Sequence, residues 1–431
     1  MILGAYRGLS AIAPAILRLL LKRRLARGKE DAARLGERTG IAGRARPAGP
    51  IVWVHAASVG ESLSTLPLIE RVLARVPAQV LVTTGTVTSA RLMAERLPPR
   101  AFHQFVPLDA APWVARFLDH WRPDLALWIE SELWPNLLRQ TAARGVPMAL
   151  VNARMTERSF RGWKRWPGAA RALLGAFRLV LAQSDAYADR FRALGAREVS
   201  VAGNLKYAAP PLPADEAKLA ALRGAIGARP VWLAASIHPG EEGAVADAQL
   251  ALKRAAGALC VVVPRHPPKG AAMAEALAAR GLAVALRSAG TLPGPGTAIY
   301  VADTLGELGL FYRVAQLALI GGSLIPHGGQ NPIEAALFGV PVLHGPHVEN
   351  FADVIRALTH ANAALEVRDG ASIASCLEQL LPRPHELATM GAAAKRCAEA
   401  ERGVIDRVMA ALEPLLAPLP QVRTEKRDAA A

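Results

Sequence analysis

The sequence predicts an α/β protein of two doubly wound domains, each a parallel sheet with helices on both faces, preceded by an apolar helix. Three observations carry that expectation. Short apolar runs alternate with helical patterns, and the alternation occurs twice, before and after residues 203–215. The intervening VAGNLKYAAPPLPADEAK holds Pro210, Pro211 and Pro213 and reads as an interdomain linker. At roughly 100–200 residues per domain, 431 residues accommodate two large domains. A composition 52% hydrophobic and 20% charged supplies the cores and excludes wholesale disorder.

The first element is ILGAYRGLSAIAPAILRLLL, Ile2 to Leu21. It approaches the roughly 20 apolar residues that span a bilayer, but Arg7 and Arg18 interrupt it and Pro14 breaks its middle. Arg18, Lys22, Arg23, Arg24, Arg27 and Lys29 cluster at its end. This predicts an anchor helix that lies in a membrane interface or inserts shallowly. Positive charge after the apolar stretch, not before it, argues against a cleaved signal peptide. Residues 1–50 carry eleven Lys/Arg and three Asp/Glu, so +8 of the net +15 sits there. Such a patch fits a membrane surface, a nucleic acid or a phosphorylated substrate, or simply a solvated basic face.

The strands and helices follow in order. IVWVHA precedes the helical ESLSTLPLIERVLARV, and QVLVTTG precedes TSARLMAERL. DLALWIE, PMALVNA and LVLAQSD continue the first domain; PVWLAAS, ALCVVVP, LALIGG and PVLHGP with their helices make the second. The expected boundaries are 1–29 for the anchor and basic flank, 30–203 for the first domain and 204–215 for the linker. The second domain is expected at 216–402, and a C-terminal helix and frayed tail at 403–431. A deep cleft lined by the carboxyl ends of both sheets is expected between the domains.

Several chemistries lack their motifs. There is no G-x-G-x-x-G, no P-loop and no G-x-S-x-G elbow. The ten histidines are scattered and no D-x-D occurs, so a metal-free mechanism is expected. Cys260, Cys376 and Cys397 are too far apart for a zinc site or a disulfide framework, which fits a reducing compartment.

Candidate site residues cluster where apolar runs end. In VWVHAASVGES, Ser58 and Glu61 have the spacing of a capping box, while the position at a strand-to-helix turn also suits a catalytic base. Glu130 and Glu132 of WIESELWPN follow a strand, as loop or cap residues or as acids shaping the charge of a cleft. Lys206 of GNLKY is a solvated hinge residue or a cation that offsets developing negative charge. Arg265 follows Pro264 at the end of VVVPRHPPK, solvated or gripping a phosphate or carboxylate. Gly306 and Glu307 in DTLGEL open a helix whose N–H groups suit an anion. In GGSLIPHGGQNPIEAA, Asn331 reads as an N-cap, Pro332 as suited to the first helical turn, and Glu334 as a capping or ribose-binding carboxylate.

Ten segments in order resemble one family: HAASVGE, TTGTVTSA, IESELWPN, VNARMTERS, LAQSD, GNLKY, ASIHPGEE, PRHP, DTLGEL and GGSLIPHGGQNPIEAA. They are similar to the 3-deoxy-D-manno-octulosonic acid (Kdo) transferases of lipopolysaccharide assembly, from about residue 35 to about residue 405. The resemblance implies a GT-B glycosyltransferase on the cytoplasmic face of a bacterial inner membrane. It implies inverting transfer of Kdo from CMP-Kdo to lipid IVA, with no metal or other cofactor and no nucleic-acid partner. Carried over by position, Glu61 is the general base, and Glu130 and Lys206 stabilise the transition state. Pro264, Arg265, Leu305, Gly306, Glu307, Asn331, Pro332, Ile333 and Glu334 are the CMP-binding positions. The helix N-terminus is expected to keep Glu61 ionised at neutral pH. Ser89, Ala208 and Gln330 depart from residues frequent in that family. A GT-B transferase that uses a UDP-sugar and another membrane lipid is the alternative, separable by competition between CMP and UDP.

Overall fold

Nine of the apolar runs become strands because their residues are buried on both faces, as parallel sheets covered by helices require. The computed structural model describes residues 2–208, 211–252, 257–400 and 403–419; the tail expected to fray from Pro420 lies outside them. Two compact units are present, Met1–Ala209 with Gly403–Ala431, and Pro210–Arg402.

In the first unit β1 (Ile51–His55), β2 (Gln79–Thr84), β3 (Ala101–Phe105), β4 (Leu125–Ile129), β5 (Met148–Ala153), β6 (Leu179–Ala182) and β7 (Val199–Val201) form one sheet, in the order β3-β2-β1-β4-β5-β6-β7. Every pairing is parallel. Trp53 and Trp128, from neighbouring strands, meet edge to face at 4.8 Å in a core that also holds Phe117, Trp121 and Phe191. The second unit repeats the plan with β8 (Val231–Ile237), β9 (Leu259–Pro264), β10 (Val284–Leu286), β11 (Ile299–Val301), β12 (Leu317–Ile320), β13 (Val342–His344) and β14 (Ala364–Glu366). Their order is β10-β11-β9-β8-β12-β13-β14, again wholly parallel. In each unit the strand order reverses direction beside the first strand, between β1 and β4 and between β8 and β12. In open α/β sheets, ligands bind at the carboxyl ends flanking such a point.

Two elements differ from the sequence expectation, and the expected C-terminal helix takes a definite place. The apolar N-terminal segment is two helices, α1 (Ile2–Ile12) and α2 (Pro14–Ala26), bent by 69° where Pro14 enters. Among the described residues no single helix is long and apolar enough to cross a membrane, though this bent pair passes by length and composition. The helix expected after β1 is likewise divided, into α3 (Val59–Ser64) and α4 (Leu66–Arg75), at Thr65 before Pro67. The helix Val404–Leu416 packs on the first unit, where Asp406 pairs with Arg71 at 2.6 Å and Glu413 with Arg75. The Arg407 Nε–H also donates to the Ala202 carbonyl at 2.8 Å.

The N-terminal pair is docked by buried polar links. The Tyr6 hydroxyl donates to Asp109 Oδ2 at 3.0 Å, and Asn136 Nδ2 donates to Ser10 Oγ at 2.8 Å. Asp109 itself accepts from the Asn136 and Leu137 N–H groups at 3.0 and 2.8 Å, so it caps the helix Pro135–Ala143 from another loop. Further on, Glu30 is paired with Arg24 at 2.6 Å and with buried Arg38 at 3.2 Å, and Arg38 donates to the Val106 carbonyl at 2.7 Å. Asp109→Ala leaves two helix N–H groups and the Tyr6 hydroxyl unpaired. It should cost roughly 2–3 kcal/mol in urea unfolding, against about 1 kcal/mol for Tyr6→Phe. The outward side of the pair is apolar: Leu9, Ile12, Ile16, Leu19 and Leu20 are exposed, Ile12 by 77%.

Candidate active site

At the reversal point of the first sheet, the residues that follow β1 and β4 are small and acidic. Ser58 caps α3 in extended backbone, its Oγ accepting from the Glu61 N–H at 3.3 Å. The return half of a capping box is displaced by one residue. Glu61 Oε2 accepts from the Ala57 N–H at 2.8 Å, and Oε1 accepts from the Ser58 hydroxyl at 2.8 Å. The carboxylate is therefore fixed over the turn that leaves β1. The neighbouring turn after β2 comes close enough for Gly85 N–H to donate to the Ala57 carbonyl at 3.1 Å, and a Cβ on Gly85 would stand 3.2 Å from that oxygen.

Glu130 is the first residue past β4 and has φ 61°, left-handed backbone that a non-glycine residue adopts at a cost. Lys206 lies on the turn Leu205–Ala208, within the first unit, and its Nζ stands 3.7 Å from Glu130 Oε1. That is an ion pair without a direct hydrogen bond. Burial pushes the Glu61 carboxyl up to about 7, and the negative charge of Glu130 adds to the rise against the hydrogen bonds from Ser58 and Ala57. This corrects the expectation that the helix end keeps Glu61 ionised at neutral pH. With six residues, α3 carries little dipole, and desolvation plus a like charge outweigh it. Near neutrality Glu61 is poised between its two protonation states.

The second unit gathers the other candidates at the carboxyl edge of its sheet. Pro264 ends β9 and Arg265 follows, exposed, with no hydrogen bond or ion pair to its guanidinium among the described residues. Glu334 is half-buried, its carboxyl pushed up to about 7 by desolvation and held back by the Asn331 amide, 3.2 Å from Oε1, and by the charge of Arg265. Asn331 stands one residue outside its expected place. Pro332 occupies the cap position of the helix Ile333–Leu337, and Asn331 Oδ1 accepts from the Ile333 N–H at 3.1 Å. Leu305 is 87% exposed and Gly306 has φ 82°. The Glu307 carboxylate is taken up within the unit by Arg287 at 2.7 and 3.0 Å and by Lys218 at 2.7 Å, which hold its pKa down to about 2. The helix that begins at Leu308 is only five residues long. Among the described residues no group of three or more His, Cys, Asp or Glu side chains is placed to hold a metal ion.

A family model for "3-Deoxy-D-manno-octulosonic-acid transferase (kdotransferase)" matches residues 33–209. A 3-deoxy-D-manno-octulosonic acid transferase of Bordetella pertussis is 37% identical over 430 residues, covering 96% of this chain and 99% of its own. The chain belongs to the Kdo transferase family. A relative of the same description from Rickettsia bellii is 34% identical over 360 residues, 83% of this chain and 86% of its own. The fold is shared more widely. UDP-GlcNAc 2-epimerase from Neisseria meningitidis superposes with a TM-score of 0.59 at 12% identity, over 84% of this chain and all of that one. The protein is thus a glycosyltransferase of GT-B architecture that transfers Kdo.

Three residues of this Kdo transferase escaped the sequence reading of the site. Asn152, with φ 56° at the irregular end of β5, accepts through Oδ1 from the Leu205 N–H at 3.0 Å and so sets the turn that carries Lys206. A polar residue inside the apolar run PMALVNA was the available signal. Glu241, 1% exposed, accepts from four backbone N–H groups: His238 at 2.9 Å, Gly322 at 2.7 Å, Ser323 at 3.1 Å and Leu324 at 3.0 Å. It ties the loop after β8 to the glycine-rich loop after β12. Glu241→Gln replaces a fully accepting carboxylate by an amide with one donor end. It should destabilise the second unit by roughly 3 kcal/mol and weaken nucleotide binding, read by thermal unfolding with and without CMP. The third residue, His238, lies against that loop: a Cβ on Gly322, at φ 68°, would stand 3.3 Å from its ring.

Proposed function

We propose that this transferase moves Kdo from CMP-Kdo onto lipid IVA, in lipopolysaccharide core assembly at the cytoplasmic face of a bacterial inner membrane, with inversion at the anomeric carbon. The observation that carries the proposal is the grouping of Glu61, Glu130 and Lys206 where the first sheet reverses. Glu61, as carboxylate, takes the proton from the acceptor hydroxyl while that oxygen attacks the anomeric carbon. Lys206, held against Glu130, offsets negative charge that builds as CMP departs. Pro264, Arg265, Leu305–Glu307 and Asn331–Glu334 bind CMP: Arg265 meets the phosphate, Glu334 accepts from ribose hydroxyls, and the Leu305–Glu307 backbone supplies neutral donors. A leaving group with one phosphate asks for less compensating charge than a nucleoside diphosphate, and the chain's own residues supply it without a metal.

The acceptor reading rests on charge and on the exposed apolar side of α1 and α2. Lipid IVA bears two phosphates, and the first fifty residues carry an excess of +8. Leu9, Ile12, Ile16, Leu19 and Leu20 enter the headgroup boundary while Lys22, Arg23 and Arg27 meet anionic lipid. The test is mass spectrometry of lipid IVA after incubation with the detergent-solubilised protein and CMP-Kdo generated in situ. A gain of one or more Kdo masses supports the reading. Folded protein that binds CMP yet leaves lipid IVA unchanged refutes the acceptor, and protein that binds UDP in preference to CMP refutes the donor.

A further inference from the structure

Three histidines stand together at the carboxyl edge of the second sheet, from three separate segments. His238 follows β8, His266 follows β9, and His327 lies in the loop after β12. The His238 ring packs edge-on against His327 at 4.3 Å and faces His266 at 6.0 Å. His238 is 6% exposed, whereas His266 and His327 are open to solvent. Its Nε2 stands 3.1 Å from the Gln330 amide nitrogen, so it accepts there and carries its proton on Nδ1. Among the described residues that Nδ1 has no hydrogen-bond partner, and neither His266 nor His327 makes a side-chain hydrogen bond. Arg265, also unpaired, is near enough to repel a proton from His238. The one carboxylate beside His238, Glu241, is spent on backbone N–H groups. Apart from the Glu334 carboxyl, on which the Arg265 charge acts, these donors face no opposing charge left to pair with, and at the point of strand-order reversal they suit an anion.

We propose that His238, His266, His327 and Arg265 form the subsite for an oxyanion of the sugar-nucleotide donor, and that His238 takes up one solvent proton as that anion binds. The inference rests on the donor reading above and adds the side chains that meet the anion. Before binding, burial and the charges of His327, Arg265 and His266 hold the His238 pKa down to about 4, so the ring is neutral at pH 7. An oxyanion against Nδ1–H reverses those charges and favours the imidazolium. The extra proton goes to Nε2, and the Gln330 amide turns its oxygen to accept it. Affinity therefore rises as pH falls toward the free-state pKa, approaching tenfold per pH unit for one proton. The anion has two sources in the donor, the nucleotide phosphate and the carboxylate of the sugar acid.

The experiment is calorimetric titration of the full-length protein, without lipid acceptor, with CMP and with freshly made CMP-Kdo. It is run at pH 6 and 8 in buffers of differing ionisation heat. Proton uptake with CMP-Kdo alone assigns the carboxylate, and uptake already with CMP assigns the phosphate. In either case His238→Asn should abolish the uptake and weaken binding by about tenfold, as loss of a charge-assisted hydrogen bond does. His327→Ala, at an exposed position, should weaken binding without unfolding. Wild-type binding of CMP and CMP-Kdo with no proton uptake, and both variants within twofold of wild type, overturns the subsite while leaving the donor reading intact. Wild-type protein that binds neither ligand refutes the donor reading and the subsite with it.

Discussion

Glu61→Gln is expected to lower Kdo transfer by about 10²- to 10⁴-fold, the usual worth of a general base, while CMP binding and thermal unfolding stay near wild type. The amide keeps the shape of the side chain and can still accept from the Ala57 N–H or the Ser58 hydroxyl, so the turn should survive. What it cannot do is take a proton. In the proposed mechanism the working form is the carboxylate. With its pKa raised to about 7, the rate should fall tenfold for each pH unit below neutrality and level off above it. A pH–rate profile flat from 5 to 8 would remove Glu61 from the role.

The second large effect is at Lys206. Lys206→Ala should lower transfer by about 10²- to 10³-fold, comparable to removing one preorganised charge or donor from a transition state, and it should also move the acid limb of the profile. After burial, the charge of Glu130 is the largest cause that raises the Glu61 pKa, ahead of Glu132, and Lys206 is the cation paired with Glu130. Without Lys206 the Glu130 charge acts on Glu61 unopposed. Ionisation becomes harder and the limb shifts to higher pH. Glu130→Gln has the opposite sign: a like charge is gone, Glu61 ionises more readily, and the limb shifts to lower pH even as the rate falls. Opposite shifts from two activity-lowering variants separate an electrostatic triad from three residues that only support the turn. Equal shifts, or none, would sink the coupling.

The fold was legible where the chain spends five or more buried residues on a strand, as in IVWVH and VWLAASI, or places shorter runs between clear turn signals. It was not legible at β3, β7, β10, β11 and β14. Four of these are three residues long, and β3 places His103 and Gln104 side by side, which breaks both an apolar run and an alternation, so neither length nor period announces them. The break between α3 and α4 was hidden because Thr65 and Pro67 sit inside an otherwise regular amphipathic pattern. At the site, Glu61, Glu130 and Lys206 were visible because acids and a lysine at the ends of apolar runs demand a reason. Their mutual electrostatics were not, since the approach of Glu130 to Glu61 depends on strand order, with β4 placed beside β1. Glu241 was missed for a related cause. A carboxylate that folds inward to serve four N–H groups looks, in the string HPGEE, like a surface acid beside another.

The docking of α1 and α2 bears on how a water-soluble form of the enzyme should be made. Deleting residues 1–29 to shed the apolar segment would strip Tyr6 from Asp109, Ser10 from Asn136 and Arg24 from Glu30, and would uncover the surface that Leu21 seals against Ala110 and Trp113. The cut would run through the wall of the first unit. Asn136 lies six residues from Glu130, on the helix that the loop after β4 enters, so such a truncation would blur the candidate site it was meant to expose. Given the membrane attachment proposed above, recolouring the outward ridge with polar side chains at Leu9, Ile12, Ile16, Leu19 and Leu20 should release the protein from detergent and leave the inward contacts in place.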